Sequence, residues 1–159
     1  MITMRGTSRL FAETLNSNLD FIALSNSLIS STFNYYVNVD LANLAGGVAL
    51  PYFSIVTFND KDDKEVSKSF QTQFLIGIAR EDFTTTSNIT EEPTLAKLEA
   101  LARKAIDVIS KEIRDFGIEG DTNIKVAYVN MYVPNPDGED DLQMQVDIEL
   151  EQEKFLCKN

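Results

Sequence analysis

The sequence predicts an α+β domain: a mostly antiparallel five-stranded sheet, a long amphipathic helix packed on one face, and an N-terminal helix, in the order α-β-β-β-α-β-β. Three observations carry this expectation. Residues 94–116 repeat apolar side chains at three- and four-residue intervals, whereas residues 142–151 alternate apolar and polar side chains without a fault. Three further runs, 35–42, 48–58 and 68–80, are apolar-rich, change to a period of two and are separated by Gly-Gly or by a cluster of Asp and Lys.

Residues 8–31 read as the first helix, with Leu10, Phe11, Leu15, Leu19, Ile22, Leu24, Leu28 and Ile29 forming one apolar stripe. Asn16, Ser17, Asn18, Ser25, Asn26 and Ser27 are indifferent helix formers, so packing must hold this segment. The period then changes. Tyr35, Val37, Val39 and Leu41 alternate with polar or small residues as a half-buried strand, and Gly46-Gly47 breaks the chain. The run from Val48 to Phe58 has Pro51 near its start, where a missing amide donor is tolerated. Asn59 to Lys64 is expected as a polar turn into the strand at 68–80, whose Phe70, Phe74, Ile76 and Ile78 share one face.

Residues 81–93 are expected as a long polar loop, a length that usually marks an exposed functional segment or local disorder. Thr94 to Phe116 then forms the strongest helix, with Leu95, Leu98, Ala102, Ala105, Ile106, Ile109, Ile113 and Phe116 on one face and Gly117 at the stop. Burying that stripe is worth on the order of 10 kcal/mol before entropy is counted. A final hairpin pairs Ile124–Val133 with Leu142–Glu151 across a turn around Asp137-Gly138. The 159 residues are expected as one domain, with 1–7 as an N-terminal arm and 155–159 as a tail.

Charge narrows the function. Twenty-five acidic side chains face fourteen basic ones, a net of −11. Of the acids, ten lie in residues 117–159 against Lys125, Lys154 and Lys158. Sequence-specific DNA binding is disfavoured, because a DNA reader supplies Lys and Arg to displace counterions from phosphates. The chain has no histidine, which removes Ser-His, Cys-His and His-metal arrangements together. Its single Cys157 permits no internal disulfide. No apolar run approaches the length of a signal peptide core or a spanning helix.

Two acidic clusters invite comparison with cation sites. Asp60, Asp62 and Asp63 lack the Gly and closing Glu of a calcium loop, and Asp137, Glu139, Asp140 and Asp141 crowd a hairpin tip; both read as solvated turns. Gly46-Gly47 lacks the Lys-Ser/Thr of a phosphate loop. The expectation is therefore no catalytic residue, no cofactor and no metal: not an enzyme.

The runs 48–58 and 124–133 are apolar on both faces: Tyr52, Val56 and Phe58 against Phe53 and Ile55, then Ile124, Val126, Tyr128 and Tyr132 against Ala127, Val129, Met131 and Val133. One helix covers about two strands, so part of such a sheet stays open unless both helices or a curled sheet bury it all, or further copies cover it. Tyr52, Phe53, Ile55, Val129, Met131 and Val133 are accordingly expected at a subunit interface. A closed ring would satisfy both the second face and the sheet edges.

The order of elements, with the Pro-Tyr-led strand Leu50-Pro51-Tyr52-Phe53-Ser54-Ile55 and the helix Thr94 to Phe116, resembles the tail-terminator and tail-completion proteins of tailed bacteriophages over residues 8–155. The resemblance implies a ring-forming structural virion subunit at the head–tail connector, neck or tail, present in the host cytoplasm before assembly. Its partners would be copies of itself and other connector or tail proteins, with DNA passing through the lumen unread. An acidic wall repels phosphates, so Asp137, Glu139, Asp140, Asp141, Asp147 and Glu149 are expected at the lumen or its rim. Two alternatives stay open: an acidic oligomeric adaptor or inhibitor, and a small ligand-binding protein.

Overall fold

The structure is a computed structural model, and it describes residues 4–63, 67–116, 124–133 and 140–153. The chain runs α1 (Met4–Ser17), α2 (Leu19–Ile29), β1 (Asn34–Val37), a 3-10 turn (Leu41–Asn43), β2 (Tyr52–Asp63), β3 (Ser67–Ala79), β4 (Thr84–Thr86), β5 (Ile89–Glu91), α3 (Pro93–Phe116), β6 (Ile124–Tyr132) and β7 (Asp141–Glu153). Five strands form one sheet in the order β1-β2-β3-β7-β6, and β4 and β5 form a separate hairpin. The expected class, α+β with five main strands, is observed.

The sheet itself is mixed, which corrects the expectation of a mostly antiparallel one. β1 runs parallel to β2, while the β2–β3, β3–β7 and β6–β7 pairs are antiparallel. Parallel neighbours need a crossover of about a dozen residues or more, and the segment 38–51 supplies it. Asn38 ends β1 in the left-handed region (φ 54°), and its side-chain oxygen accepts from the Thr57 amide at 3.3 Å. Gly46 and Gly47 follow with φ of 82° and 77°, a conformation cheap only for glycine. The return is fastened to β1 by the Ala49 amide, which donates to the Tyr36 hydroxyl at 3.2 Å, and by the Asn34 side chain, which donates to the Pro51 carbonyl at 3.1 Å.

Several boundaries differ from the sequence reading: α1 begins at Met4, inside the expected arm, and β1 ends at Val37, with Leu41 in the 3-10 turn rather than in the strand. The N-terminal helix is two helices, because Asn18 leaves helical geometry and caps α2, accepting from the Phe21 amide at 2.9 Å. The second strand starts at Tyr52 and runs through Asp63, so residues 59–63 are strand rather than turn. Residues 84–91 are a β-hairpin rather than a featureless loop. Its bend, Ser87-Asn88, takes φ of 53° and 66°, the left-handed pair that suits a two-residue hairpin turn.

All three helices lie on one face. Phe11 and Leu15 of α1, Phe21 of α2, and Leu98, Leu101, Ala105 and Ile109 of α3 are buried against Phe53, Ile55, Phe74, Ile76, Val146 and Ile148 of the sheet. Phe53 centres an aromatic cluster, 5.3 Å from Phe74 and 5.7 Å from Phe33 between ring centroids. Where α1 meets β2 and β3 the contact is hydroxylic: Ser8 Oγ lies 2.5 Å from Thr57 Oγ1, which lies 3.2 Å from Thr72 Oγ1, all buried. No described helix is long and apolar enough to cross a membrane.

Candidate functional site

The strand register sorts each side chain to one of the two sheet faces. Opposite residues in a ladder share a face, so the pairs Phe53↔Ile76, Phe74↔Val146 and Ile76↔Met144 place the core residues under the helices. The pairs Tyr52↔Gly77, Leu75↔Gln145, Gln73↔Asp147 and Gly77↔Gln143 then lie on the other face, which no described helix covers. On that face the β7 row is built from amides and carboxylates, flanked by Tyr52 and Leu75 on one side and by the exposed Tyr132 on the other. Asp141, Gln143, Gln145, Asp147 and Glu149 follow one another along β7 at every second position, all partly exposed.

The carboxylates here are held by amide donors. Asp147 Oδ1 accepts from Gln73 Nε2 and from Gln145 Nε2, both at 3.2 Å. Asp141 Oδ2 accepts from Gln143 Nε2 at 3.1 Å. A neutral amide orients a carboxylate without cancelling its charge, so the strand keeps a negative field over its open face. Tyr52, 3 % exposed, lies against Gly77, where a Cβ would collide with its ring, and packs edge-on to Tyr36 at 6.5 Å. Burial pushes the Tyr52 phenol up to about 12; the Asp141 carboxylate adds to the rise, and a hydrogen bond with Gln143 opposes it. Burial also holds the Tyr35 phenol above its ordinary value.

The six acids expected at a lumen divide. Asp141, Asp147 and Glu149 stand on the helix-free face; Asp140 is exposed just before β7, its carbonyl accepting from the Arg80 amide at 3.1 Å. Asp137 and Glu139 lie outside the described residues. The six residues expected at an interface divide less favourably. Phe53 and Ile55 have no exposed surface and belong to the chain's own core. Tyr52 is buried by Tyr36 and Gly77. Val129, Met131 and Val133 are half-buried on the helix-covered face.

Phe53 and Ile55 are claimed by the helices; on β6 the cause is a β-bulge between Val126 and Tyr128. The extra residue shifts the phase of the strand, so Val126 pairs with Leu150 and Val129 with Ile148 on the same face. Strict alternation assigns Val126 and Val129 to opposite faces. Val126 is thereby absorbed into the first face, while Tyr128 and Tyr132, paired with Glu149 and Gln145, stay on the other.

Two clefts remain. One, about 270 Å³, opens between α1 and the outer edge of β1, lined by Arg9, Ala12, Glu13, Asn16, Tyr35 and Val37. The other, about 200 Å³, sits at the end of the sheet between Ile29, Pro51, Ile78 and Arg80, with the Lys97–Glu81 ion pair at its rim. Among the described residues, no three Asp, Glu, Cys or His side chains converge as a metal site.

Sequence reasoning missed the glutamines that hold the carboxylates. Their alternation at 71, 73, 143 and 145 is visible in the sequence, but only the pairing of β3 with β7 turns two alternations into one network. Comparison with known proteins finds no family whose sequence model matches the chain and no significant match among curated proteins.

Proposed function

We propose that this chain is a non-enzymatic structural subunit that assembles head to tail into a ring, of the kind found at the head–tail junction of tailed bacteriophages, with its helix-free sheet face bordering a central hole through which DNA passes. The observation that carries the reading is the segregation of the two layers. Every described helix covers one face; the other is covered at Tyr52 and Ser54 of β2 but partly open along β7, where it bears Asp141, Asp147 and Glu149 among glutamines. Bare sheet that is polar tolerates water; bare sheet that is acidic also repels a polyanion moving past it. Over the stretch Asp141–Glu149 such a wall neither reads nor traps a duplex, because its carboxylates and glutamines offer phosphates no cation to exchange for their counterions; by register Lys61 and Lys125 share the face only toward Glu151.

The reading is tested by the purified protein's mass and its behaviour toward duplex DNA. The wild type is expected as an oligomer that does not retain a short duplex at low salt. The variant Asp141→Lys, Asp147→Lys, Glu149→Lys is expected to retain the oligomer and to bind duplex, with affinity falling steeply as salt is raised. Tight duplex binding by the wild type, or a monomer at every concentration, would overturn the proposal.

A further inference from the structure

We infer that the outer edge of β1 in one copy accepts the β6 edge of the next as an antiparallel strand, so that the sheet continues from copy to copy. The inference rests on the ring reading and names the surfaces that join. Strand polarity is the first support. With β1 and β2 parallel and each later neighbour antiparallel, β6 runs opposite to β1. Two copies in the same orientation therefore bring their free edges together antiparallel, the better-bonded arrangement.

Space is the second support. A helix spans about the width of two strands, and α1 packs on both β1 and β2 at the edge of the sheet. The cleft of about 270 Å³ lies where a sixth strand would run, with Ala12, Tyr35 and Val37 beside it. At the opposite edge, Val129, Met131 and Val133 sit half-buried on the same helix-covered face. An incoming β6 would set these apolar side chains beside Tyr35 and Val37.

The third support is what the edges lack. Free strands are usually guarded by charge, proline or a bulge; on β6 Lys125 and the bulge guard only the first part, whereas residues 34–37 (Asn-Tyr-Tyr-Val) and 128–133 (Tyr-Val-Asn-Met-Tyr-Val) carry no charge and no proline. The bulge precedes the second stretch and leaves it regular. The amides available on β1 are identifiable. The Asn34 and Asn38 amides donate to the carbonyls of Pro51, just before β2, and of Ile55 in β2 at 2.9 Å each, so by alternation the Tyr35 and Val37 amides point to the free edge.

Disulfide trapping between copies tests the pairing directly. In a Cys157→Ser background, Val37→Cys protein is mixed with Val129→Cys or Met131→Cys protein and oxidised gently. A mixed dimer is expected with one of these two partners, and none with Asn130→Cys, which belongs to the opposite face. In parallel, Val37→Pro removes an edge amide without touching the β1–β2 ladder, and is expected to keep the circular dichroism spectrum but lose assembly. Wild-type rings that yield no mixed dimer, or assembly that survives Val37→Pro, overturn the strand pairing and leave the ring reading standing. A wild-type monomer at every concentration overturns both. If Val37→Pro does not fold, the presence or absence of the mixed disulfide alone decides between pairing and no pairing.

Discussion

Tyr52 lies where a tyrosine and a glycine face each other across two strands, its ring occupying the space that a side chain at position 77 would need. The strand sequence 52–58 marks Tyr52 as apolar and alternating, which places it at an interface on sequence grounds. It cannot say that the opposite residue is Gly77, because register is a property of the pair and not of either strand. The pairing has a titratable consequence. With the phenol raised to about 12 by burial first and Asp141 second, the folded state resists ionisation that the unfolded chain accepts near pH 10. A raised folded value contributes stability that is complete below the unfolded value and lost as pH climbs through the folded one. Unfolding by urea should therefore show stability declining between pH of about 10 and 12, and Tyr52→Phe should flatten part of that decline. An identical slope in the variant would mean that the Tyr52 hydroxyl ionises equally in both states.

Elements are legible where one segment carries its own signal. The α3 stripe and the alternation of β7 need no partner to be recognised, and both are present, with Leu98, Ala105 and Ile109 buried from the helix and Leu142, Met144, Val146 and Ile148 from the strand. Breaks inside elements are not legible. The apolar stripe of 8–31 continues through Asn18, yet the asparagine caps α2 at the Phe21 amide and leaves the following Leu19 79 % exposed. Poor helix formers along a stripe look like uniform weakness, when one of them is a cap. Asn18→Ala removes an acceptor from the first turn of α2 and should lower stability by about 1 kcal/mol, while Asn18→Asp or Asn18→Ser should restore most of it; thermal melts of the three variants make the comparison. Equal loss in all three would show that the side-chain acceptor has no part in ending α1. The bulge at Val126–Tyr128 escapes for the same reason as the cap: the sequence records residues, and the extra residue exists only relative to β7.

At the scale of the whole molecule, the net of −11 is written in the sequence, but where it falls relative to neighbouring copies is not. Two arrangements place the charge oppositely. If copies join through Asn34–Val37 of β1 and the uncharged 128–132 stretch of β6, each brings its acids to a common hole and repels the next. Screening then favours assembly, since the Debye length shrinks from about 30 Å at 0.01 M salt to about 8 Å at 0.15 M. If instead the acidic face of β7 sat on the outer side of a neighbour's α3, where Lys104 and Lys111 lie at seven-residue spacing, opposite charges would hold the copies together and the same salt would loosen them. Light scattering of the purified protein across that range separates the two by sign. The edge-joined ring requires the assembled fraction to rise with salt, steeply at the low end and flat beyond physiological strength. A fall would move the acidic face from the hole to the junction between subunits, and the duplex would then have no repulsive wall to pass.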